Sequence, residues 1–377
     1  MRSWIERQRN IIDFTLCSLL RRKGKNVLLM LVYTLVVFVL ASVMFFTHAI
    51  RKEASMVLKE APEMVVQRLV AGRHELIPLS YIDEIKQIRG VSFVKGRLWG
   101  YYYDPVIGAN YTLIVAADEQ LSPGKITVGQ GVSRARLVVE GDTMEFRAHD
   151  GAIIELEIGK TISSESELIS SDLILISDDD FRRLFGTPRS CATDIVVGVR
   201  NPKEIPTVAL KIAQLLPDTR QILRDEISRT YDAVFNWRGG IMILIFSGAL
   251  LAFIIFAWDK ASGLGPEERR EIGILKAIGW ETSDVILMKL WEGMIVSLSS
   301  FSLAVILAYL HVFFFSARVF APVLKGWAVL YPEFKLVPFV DASQVVALFF
   351  LSVVPYTVAT IIPAWRAATV DPDSIMR

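Results

Sequence analysis

Long apolar runs constrain the fold of this chain more than any other feature. Residues 26–50 contain no Asp, Glu, Lys or Arg, and a helix of that length crosses roughly 30 Å of hydrocarbon at about 1.5 Å of rise per residue. The run is too long for the apolar part of a signal peptide and lacks a small-residue cleavage site. We predict four transmembrane helices, at 26–50, 239–258, 290–317 and 342–365.

The charges before the first run predict the orientation. Basic residues collect on the cytoplasmic side of membrane helices, so both termini are predicted to be cytoplasmic. Residues 51–238 and the loop 318–341 then lie outside, whereas 259–289 and 366–377 lie inside. Residues 1–25 are predicted to form an interfacial amphipathic helix, with a disordered basic tail as the alternative. The basic residues are Arg2, Arg7, Arg9, Arg21, Arg22, Lys23 and Lys25, against the acids Glu6 and Asp13.

The outside segment, residues 51–238, alternates strand and helix patterns and predicts an α+β domain between the first and second spans. The order of "MVVQRLV", "SYIDEIKQI" and "VSFVKGRL" returns as "DLILIS", "DDDFRRLFG" and "ATDIVVGVR", which suggests two related α+β units. Ser80 is predicted to cap its helix, and a β-rich insert with turns at Gly141 and Gly151 separates the units. We interpret 178–180 as a helix N-terminus rather than a calcium site. Stalk helices are expected at both junctions with the membrane.

The sequence contains none of the common catalytic or metal-binding spacings. CxxC, HExxH, GxSxG and Walker A patterns are missing, so we expect no enzyme activity, bound metal or bound cofactor in this chain. Cys17 and Cys191 fall on opposite sides of the membrane in the predicted topology and cannot pair. A formal charge of +1 gives no indication of nucleic-acid binding.

A charged stretch, "PEERREIGILKAIGW" at 266–280, lies between the second and third spans. Pro266 suits a first helical turn and Gly279 suits a helix end, so we predict a short cytoplasmic helix. Ile272, Leu275 and Ile278 are expected to form its apolar side. The helix can lie on lipid headgroups, but its nearly balanced charges favour a groove on a protein partner.

The stretch "ERREIGILKAIGW" and the ending "PAWRAATVDPDSIMR" resemble the FtsX/MacB superfamily (type VII) of ABC transporter permeases. The resemblance implies a MacB periplasmic-core-like outside domain and a coupling helix that rests on a separate ATPase subunit. The residues that match the coupling motif and its flank are Glu267, Glu268, Arg269, Arg270, Glu271, Ile272, Gly273, Leu275, Lys276, Ala277 and Gly279. The residues that match the C-terminal motif are Pro363, Arg366, Ala367, Asp371, Pro372 and Arg377.

The resemblance also implies partners. Two copies of the ATPase, carrying ATP and Mg, would drive a homodimer or a pair of paralogous permeases in the bacterial inner membrane. A periplasmic adaptor and an outer-membrane channel can complete such an assembly. The expected activity is mechanotransmission, and the sequence does not identify the substrate. Reversal of the charge at Glu271 is expected to weaken ATPase association. The alternative is a membrane sensor that signals to a cytoplasmic partner without transport.

Four features inside or beside the predicted spans are further candidates. Glu292 is an acid in the third span and therefore a functional candidate, or else a carboxylate that reaches water. Pro355 in the fourth span is a possible kink. The third span has serines and alanines where the family often has glycines, and these small residues are expected to allow close helix packing. Aromatic residues in 318–341 are expected to form an interfacial belt, with contact to an amphiphilic cargo as the alternative.

Overall fold

The computed structural model describes residues 2–116, 121–162, 170–230, 266–320, 329–330 and 336–369, together with isolated positions between 233 and 255. The chain divides into two compact units. The helical unit contains Met1–Ala49, Phe235–Ala317 and Pro338–Arg377. The α+β unit contains Ile50–Val234 and Arg318–Val337.

The helices and strands are named here in chain order. The helices are α1 (Arg2–Arg21), α2 (Lys23–Glu60), α3 (Ser80–Lys86), α4 (Gln130–Arg136), α5 (Asp178–Phe185), α6 (Ile205–Leu215), α7 (Pro266–Ala277), α8 (Thr282–Tyr309) and α9 (Ala342–Thr369). The strands are β1 (Met64–Val70), β2 (Arg73–Glu75), β3 (Ile77–Pro78), β4 (Val91–Arg97), β5 (Trp99–Asp104), β6 (Ala109–Val115), β7 (Lys125–Val128), β8 (Thr143–Arg147), β9 (Ile153–Thr161), β10 (Leu173–Ile176), β11 (Cys191–Ala192), β12 (Asp194–Val199) and β13 (Thr219–Leu223).

Among the residues that the structure describes, three helical segments are long and apolar enough to cross a membrane: Lys23–Glu53, Thr282–Phe314 and Ala342–Ile361. They overlap the first, third and fourth predicted spans. The second predicted span, 239–258, lies outside the described residues except for isolated helical positions. Helix α2 continues to Glu60 as one helix. Residues 224–230, which follow β13 in the sequence, are also helical.

The first sheet of the α+β unit joins strands from both ends of its sequence. The strand order is β13-β1-β12-β4, and all three pairings are antiparallel. The elements β1-α3-β4 and β12-α6-β13 each form a split βαβ half. The two related units predicted from the sequence therefore share one sheet, because β12 of the second unit pairs with β1 and β4 of the first. The shared core contains Met64, Ile85, Ile195, Val208 and Ile212.

The second sheet is inserted between β4 and β12. Its strand order is β5-β6-β10-β7-β9-β8, with parallel pairings between β6 and β10 and between β7 and β9. The predicted β-rich insert covers only β8 and β9 of this sheet. Gly141 and Gly151 lie at turns with φ of 93° and 86°, where a side chain would be strained. Tyr111, Phe146 and Phe181 are fully buried in its core.

Two predicted helix starts have different outcomes. The predicted Ser80 cap is wrong: Leu79 is the N-cap of α3 and is already in the right-handed helical region, so Ser80 is the first helical residue. The interpretation of 178–180 as a helix N-terminus is confirmed. Ser177 Oγ accepts a hydrogen bond from the Asp180 N–H at 3.1 Å, and the Asp180 carboxylate accepts one from the Gly124 N–H at 2.7 Å.

A buried carboxylate links the two sheets. Asp194 at the start of β12 has a side chain that is 1% exposed. Its two oxygens accept hydrogen bonds from Arg97 Nε and Nη2 at 2.8 and 2.7 Å. The indole Nε1–H of Trp99, the first residue of β5, donates to the same carboxylate at 2.8 Å. This group therefore fixes the chain where it passes from β4 to β5.

Candidate functional site

The predicted cytoplasmic helix is present as α7, and a tight turn joins it to α8. Pro266 is its first residue, where the fixed φ of proline suits a helix start. Gly279 follows the helix with a φ of 102°, which reverses the chain. Glu281 and Asp284 then form a reciprocal capping box that starts α8. The local sequence thus encodes a helix, a stop and a second helix within a few residues.

The inner face of α7 packs against α1 and the first turns of α8. Ile272 contacts Val285 in one small buried cluster. Leu275 contacts Ile11 of α1 and Met288 of α8 in a second cluster. The half-buried residues around the second cluster are Phe14, Leu287, Trp280 and Trp291. The predicted interfacial helix α1 therefore supports α7 as well as having an exposed surface of its own.

The Glu271 carboxylate forms ion pairs at the end of α1. Its Oε1 atom lies 2.9 Å from Arg21 Nη2, and its Oε2 atom lies 2.7 Å from Arg22 Nη2. The side chains of Arg22 and Glu271 are 24% and 23% exposed, so water screens this pair less than a surface pair. Sequence reasoning missed both arginines as partners, because they lie far from Glu271 along the chain.

A second ion pair holds the other end of α1 against α8. Arg7 Nη2 lies 2.6 Å from Asp284 Oδ1 and 3.5 Å from Glu281 Oε2. The hydrogen bond and charge of Asp284 hold the pKa of Arg7 above its ordinary value. Gln8 accepts a hydrogen bond from Trp291 Nε1 at 3.2 Å. Helix α1 is therefore attached to α7 and α8 along most of its length.

The outer face of α7 and the turn after it form an exposed strip that is partly apolar. We define the outer strip as Arg270, Ile274, Ala277 and Ile278. Ile274 is 51% exposed and Ile278 is 69% exposed, and Arg270 and Ala277 are exposed as well. Two exposed isoleucines four positions apart lie on one side of a helix.

The sequence predicted that Ile272, Leu275 and Ile278 form one apolar side of the helix, which is correct for Ile272 and Leu275 but wrong for Ile278. Ile272 and Leu275 are 2% and 5% exposed, whereas Ile278 is largely exposed. Successive steps of three residues each fall about 60° short of a full turn in an α-helix. Ile278 is therefore rotated about 120° from Ile272 and joins the outer strip.

The structure describes the remaining motif residues to different extents. Gly273 is buried and Lys276 is half-buried. Three motif residues belong to α7, but their side chains lie outside the described set: Glu267, Glu268 and Arg269. The same holds in α9 for Pro363, Arg366 and Ala367. The end of the C-terminal motif lies outside the described residues, namely Asp371, Pro372 and Arg377.

The two membrane candidates are placed on helices α8 and α9. Glu292 Oε2 lies 2.6 Å from Lys289 Nζ, and the two side chains are 28% and 16% exposed. Lys289 and Glu292 are about one helical turn apart, and their ion pair lies at the start of the third span, partly shielded from solvent. Pro355 lies within α9, which continues as a helix on both sides of it.

Small residues line the buried side of α8. The residues are Gly293, Ser297, Ser300, Ala304 and Ala308. Ser300 Oγ donates to the Met30 carbonyl of α2 at 3.4 Å, and a Cβ atom at Gly293 would meet Thr360 Oγ1 of α9 at 2.6 Å. Gly293 and Ser300 thus lie where α9 and α2 come close to α8, as small residues allow.

Among the described residues, no three His, Cys, Asp or Glu side chains are grouped so that they could hold a metal ion.

These features define a multi-pass membrane protein with an α+β domain between apolar helices. Residues 239–372, which include α7 and α8, match the FtsX-like permease C-terminal family. The predicted resemblance to FtsX-like permeases is confirmed over this region. No curated protein matches the chain.

Two solved structures are similar to the chain. The periplasmic region of MacB from Actinobacillus actinomycetemcomitans is 9% identical, with 45% of this chain and 92% of that chain covered and a TM-score of 0.30. The extracellular domain of a noncanonic ABC-type transporter, YknZ from Gram-positive bacteria, is 10% identical, with 43% of this chain and 100% of that chain covered and a TM-score of 0.30.

Proposed function

We propose that this chain is the permease subunit of an ABC transporter that is driven by a separate ATPase subunit. ATP hydrolysis in the partner would move α7, and the movement would reach the α+β unit on the far side of the membrane. The substrate would be exported, extracted or released there. Both termini would lie in the cytoplasm of a bacterium, and two permeases would associate with two ATPase subunits.

The outer strip of α7 is the observation that carries this proposal. The FtsX-like permease match includes α7, and the inner face of this helix is already occupied by α1 and α8. Ile274 and Ile278 leave apolar area exposed beside the charge of Arg270. An amphipathic helix of this kind suits an apolar groove with an acidic rim on a protein partner.

The sequence led us to expect that Glu271 takes part in ATPase association, and the position of its side chain changes how we assign that residue. Its carboxylate faces Arg21 and Arg22 and is only partly exposed. Direct contact with the partner is therefore assigned to the outer strip, and Glu271 is assigned to contacts within the chain.

The test is association of the full-length chain with its ATPase after the two isoleucines are made acidic. Full burial of an isoleucine contributes about 1.5–3 kcal/mol, and about 1.4 kcal/mol corresponds to a tenfold change in affinity. We expect Ile274→Glu with Ile278→Glu to weaken copurification and ATP-dependent activity at least tenfold. Leu210→Glu on α6 is the matched control, since Leu210 is 65% exposed and lies in the α+β unit.

Three results would contradict the proposal. Unchanged association of the acidic variant would remove the outer strip as the docking surface. An equal effect of Leu210→Glu would indicate general damage. Association with a kinase or regulator in place of an ATPase would favour the sensor alternative.

A further inference from the structure

The junction between α1 and α2 is short and hydrogen-bonded. Arg22 is the only residue between the two helices. Its N–H donates to the Ser18 carbonyl at 3.4 Å, and its carbonyl accepts from the Asn26 N–H at 3.2 Å. The Asn26 side chain also donates to the Leu19 carbonyl at 3.0 Å. The four-residue spacing of helical hydrogen bonds thus persists across the break, which is the geometry that a mechanical link between α1 and α2 requires.

The Glu271 ion pairs connect α7 to this junction. One carboxylate oxygen contacts Arg21, the last residue of α1, and the other contacts Arg22. Two separate arginines on the two oxygens fix the carboxylate in position and direction. The Phe14 and Trp280 rings, 5.2 Å apart between centroids, hold the middle of α1 beside the end of α7.

The described covalent route from α7 to the third span, α8, is less direct. It passes through the turn at Gly279, whose φ of 102° is a conformation that glycine tolerates freely. The route through Glu271 instead reaches the base of α2. Helix α2 is a single helix from Lys23 to Glu60, longer than the membrane-spanning part that it contains.

We propose that Arg21 and Arg22 are positioning residues that transmit a displacement of α7 to the first membrane helix. The proposal rests on the proposed function, since an ATPase must move α7. Under it, the two arginines at the end of α1 are the part of that helix that transmits the movement, and Glu271 is their contact on α7. The outer strip binds the partner, and the arginine pair passes on the movement.

The test follows α2 in the full-length chain reconstituted with its ATPase in lipid nanodiscs. Met56 is 41% exposed near the far end of α2, and Met56→Cys carries a spin label in a Cys17→Ser, Cys191→Ser background. The measured quantity is the spectral change between the nucleotide-free state and the state trapped with Mg, ADP and vanadate. We expect Arg21→Gln with Arg22→Gln to reduce this change at least threefold, while ATPase association stays within twofold.

Two further variants separate transmission from loss of structure. Arg7→Gln with Arg9→Gln removes the same charge from α1 and breaks the contact to Asp284 but leaves the Glu271 pairs, so the spectral change should remain. The exchange Glu271→Arg, Arg21→Glu and Arg22→Glu rebuilds the ion pairs with opposite polarity. It should restore at least half of the spectral change.

The outcomes distinguish this inference from the proposed function. A full spectral change in the Arg21→Gln, Arg22→Gln variant overturns the inference, as does an equal loss in the Arg7→Gln, Arg9→Gln control. Loss without recovery in the charge exchange assigns the arginines a purely structural role and also overturns it. Failure of any ATPase to associate with the unaltered chain overturns both proposals.

Discussion

Carboxylates of the same charge have different roles in this molecule because their shielding differs. Asp194 is almost completely buried and holds Arg97 and Trp99. Asp179 pairs with Arg189 where both side chains are mostly exposed. Exposed ion pairs contribute little to stability, whereas removal of one partner from a buried pair leaves polar groups without compensation.

Replacement of Asp194 should therefore destabilise the α+β unit. We expect Asp194→Ala to lower the free energy of unfolding by about 2–4 kcal/mol, because the Arg97 guanidinium and the Trp99 indole lose their acceptor. The measurement is urea unfolding of the full-length chain in detergent, followed through the β-sheet signal. Asp179→Ala is the control and should change stability by about 0.5 kcal/mol or less. Similar losses for both variants would contradict the assignment.

At the residue scale, the sequence predicted which side chains of α7 are buried better than it predicted which side chains they contact. Helical periodicity placed Ile272 and Leu275 on the buried face of α7. It could not identify Arg21 and Arg22 as the partners of Glu271, because a distant ion pair leaves no local periodic signal. It also placed Ile278 on the wrong face. Each step of three residues falls short of a full helical turn, so two such steps carry Ile278 away from the buried side of α7.

Helix α8 illustrates how an element in lipid associates with its neighbours. Hydrophobic burial gives little driving force between helices that are already surrounded by apolar lipid, so close packing of small residues matters more. Ser297 Oγ lies 3.3 Å from Thr357 Oγ1 of α9, and Ser300 contacts α2. The small residues of α8 therefore lie where two other helices approach its backbone.

A large side chain on this face should separate the helices. Ala304 is 0% exposed, and we expect Ala304→Leu to destabilise the helical unit by about 1–3 kcal/mol through overpacking. Thermal unfolding in detergent is the measurement. Ser302→Leu is the control, because Ser302 lies about 200° around the helix from Ala304 and is exposed. Added apolar volume there faces lipid or detergent. Equal stability of the two variants would mean that the buried stripe has no packing role.

The local sequence pattern predicted individual helices and strands better than it predicted how the strands pair into sheets. Local strand signals identified β1, β4, β12 and β13, and period-two alternation identified β8 and β9. The strand order could not be predicted, because pairing of β1 with β12 depends on a contact between segments far apart in sequence. In the second sheet, β8, β9 and β10 were recognised as strands, but the pairing of β10 with β6 and β7 was not.

At the scale of the whole molecule, the proposed orientation places the two cysteines in different compartments. Cys17 is exposed on α1, and Cys191 is partly exposed in β11; neither forms a disulfide. The charge distribution before the first span predicts that α1 is cytoplasmic. The α+β unit should then be accessible from the opposite side.

Labelling with a membrane-impermeant maleimide tests this orientation. In spheroplasts, we expect labelling of the Cys17→Ser variant, which retains Cys191, and none of the Cys191→Ser variant until the membrane is permeabilised. Denatured samples of both variants provide the control for total reactivity. The reverse pattern would show that the coupling helix α7 lies on the side without ATP, which would contradict the proposed function.

The interleaved first sheet also imposes an order on biosynthesis. Val65 of β1 pairs with Val196 of β12, so the ribosome must add about 130 residues before that neighbour exists. At about 5–20 residues per second, β1 and β4 wait on the order of ten seconds after emerging. During that interval the unpaired edges of β1 and β4 can pair with strands of other nascent chains. We therefore expect chaperones to bind this segment until β12 and β13 have been synthesised and translocated.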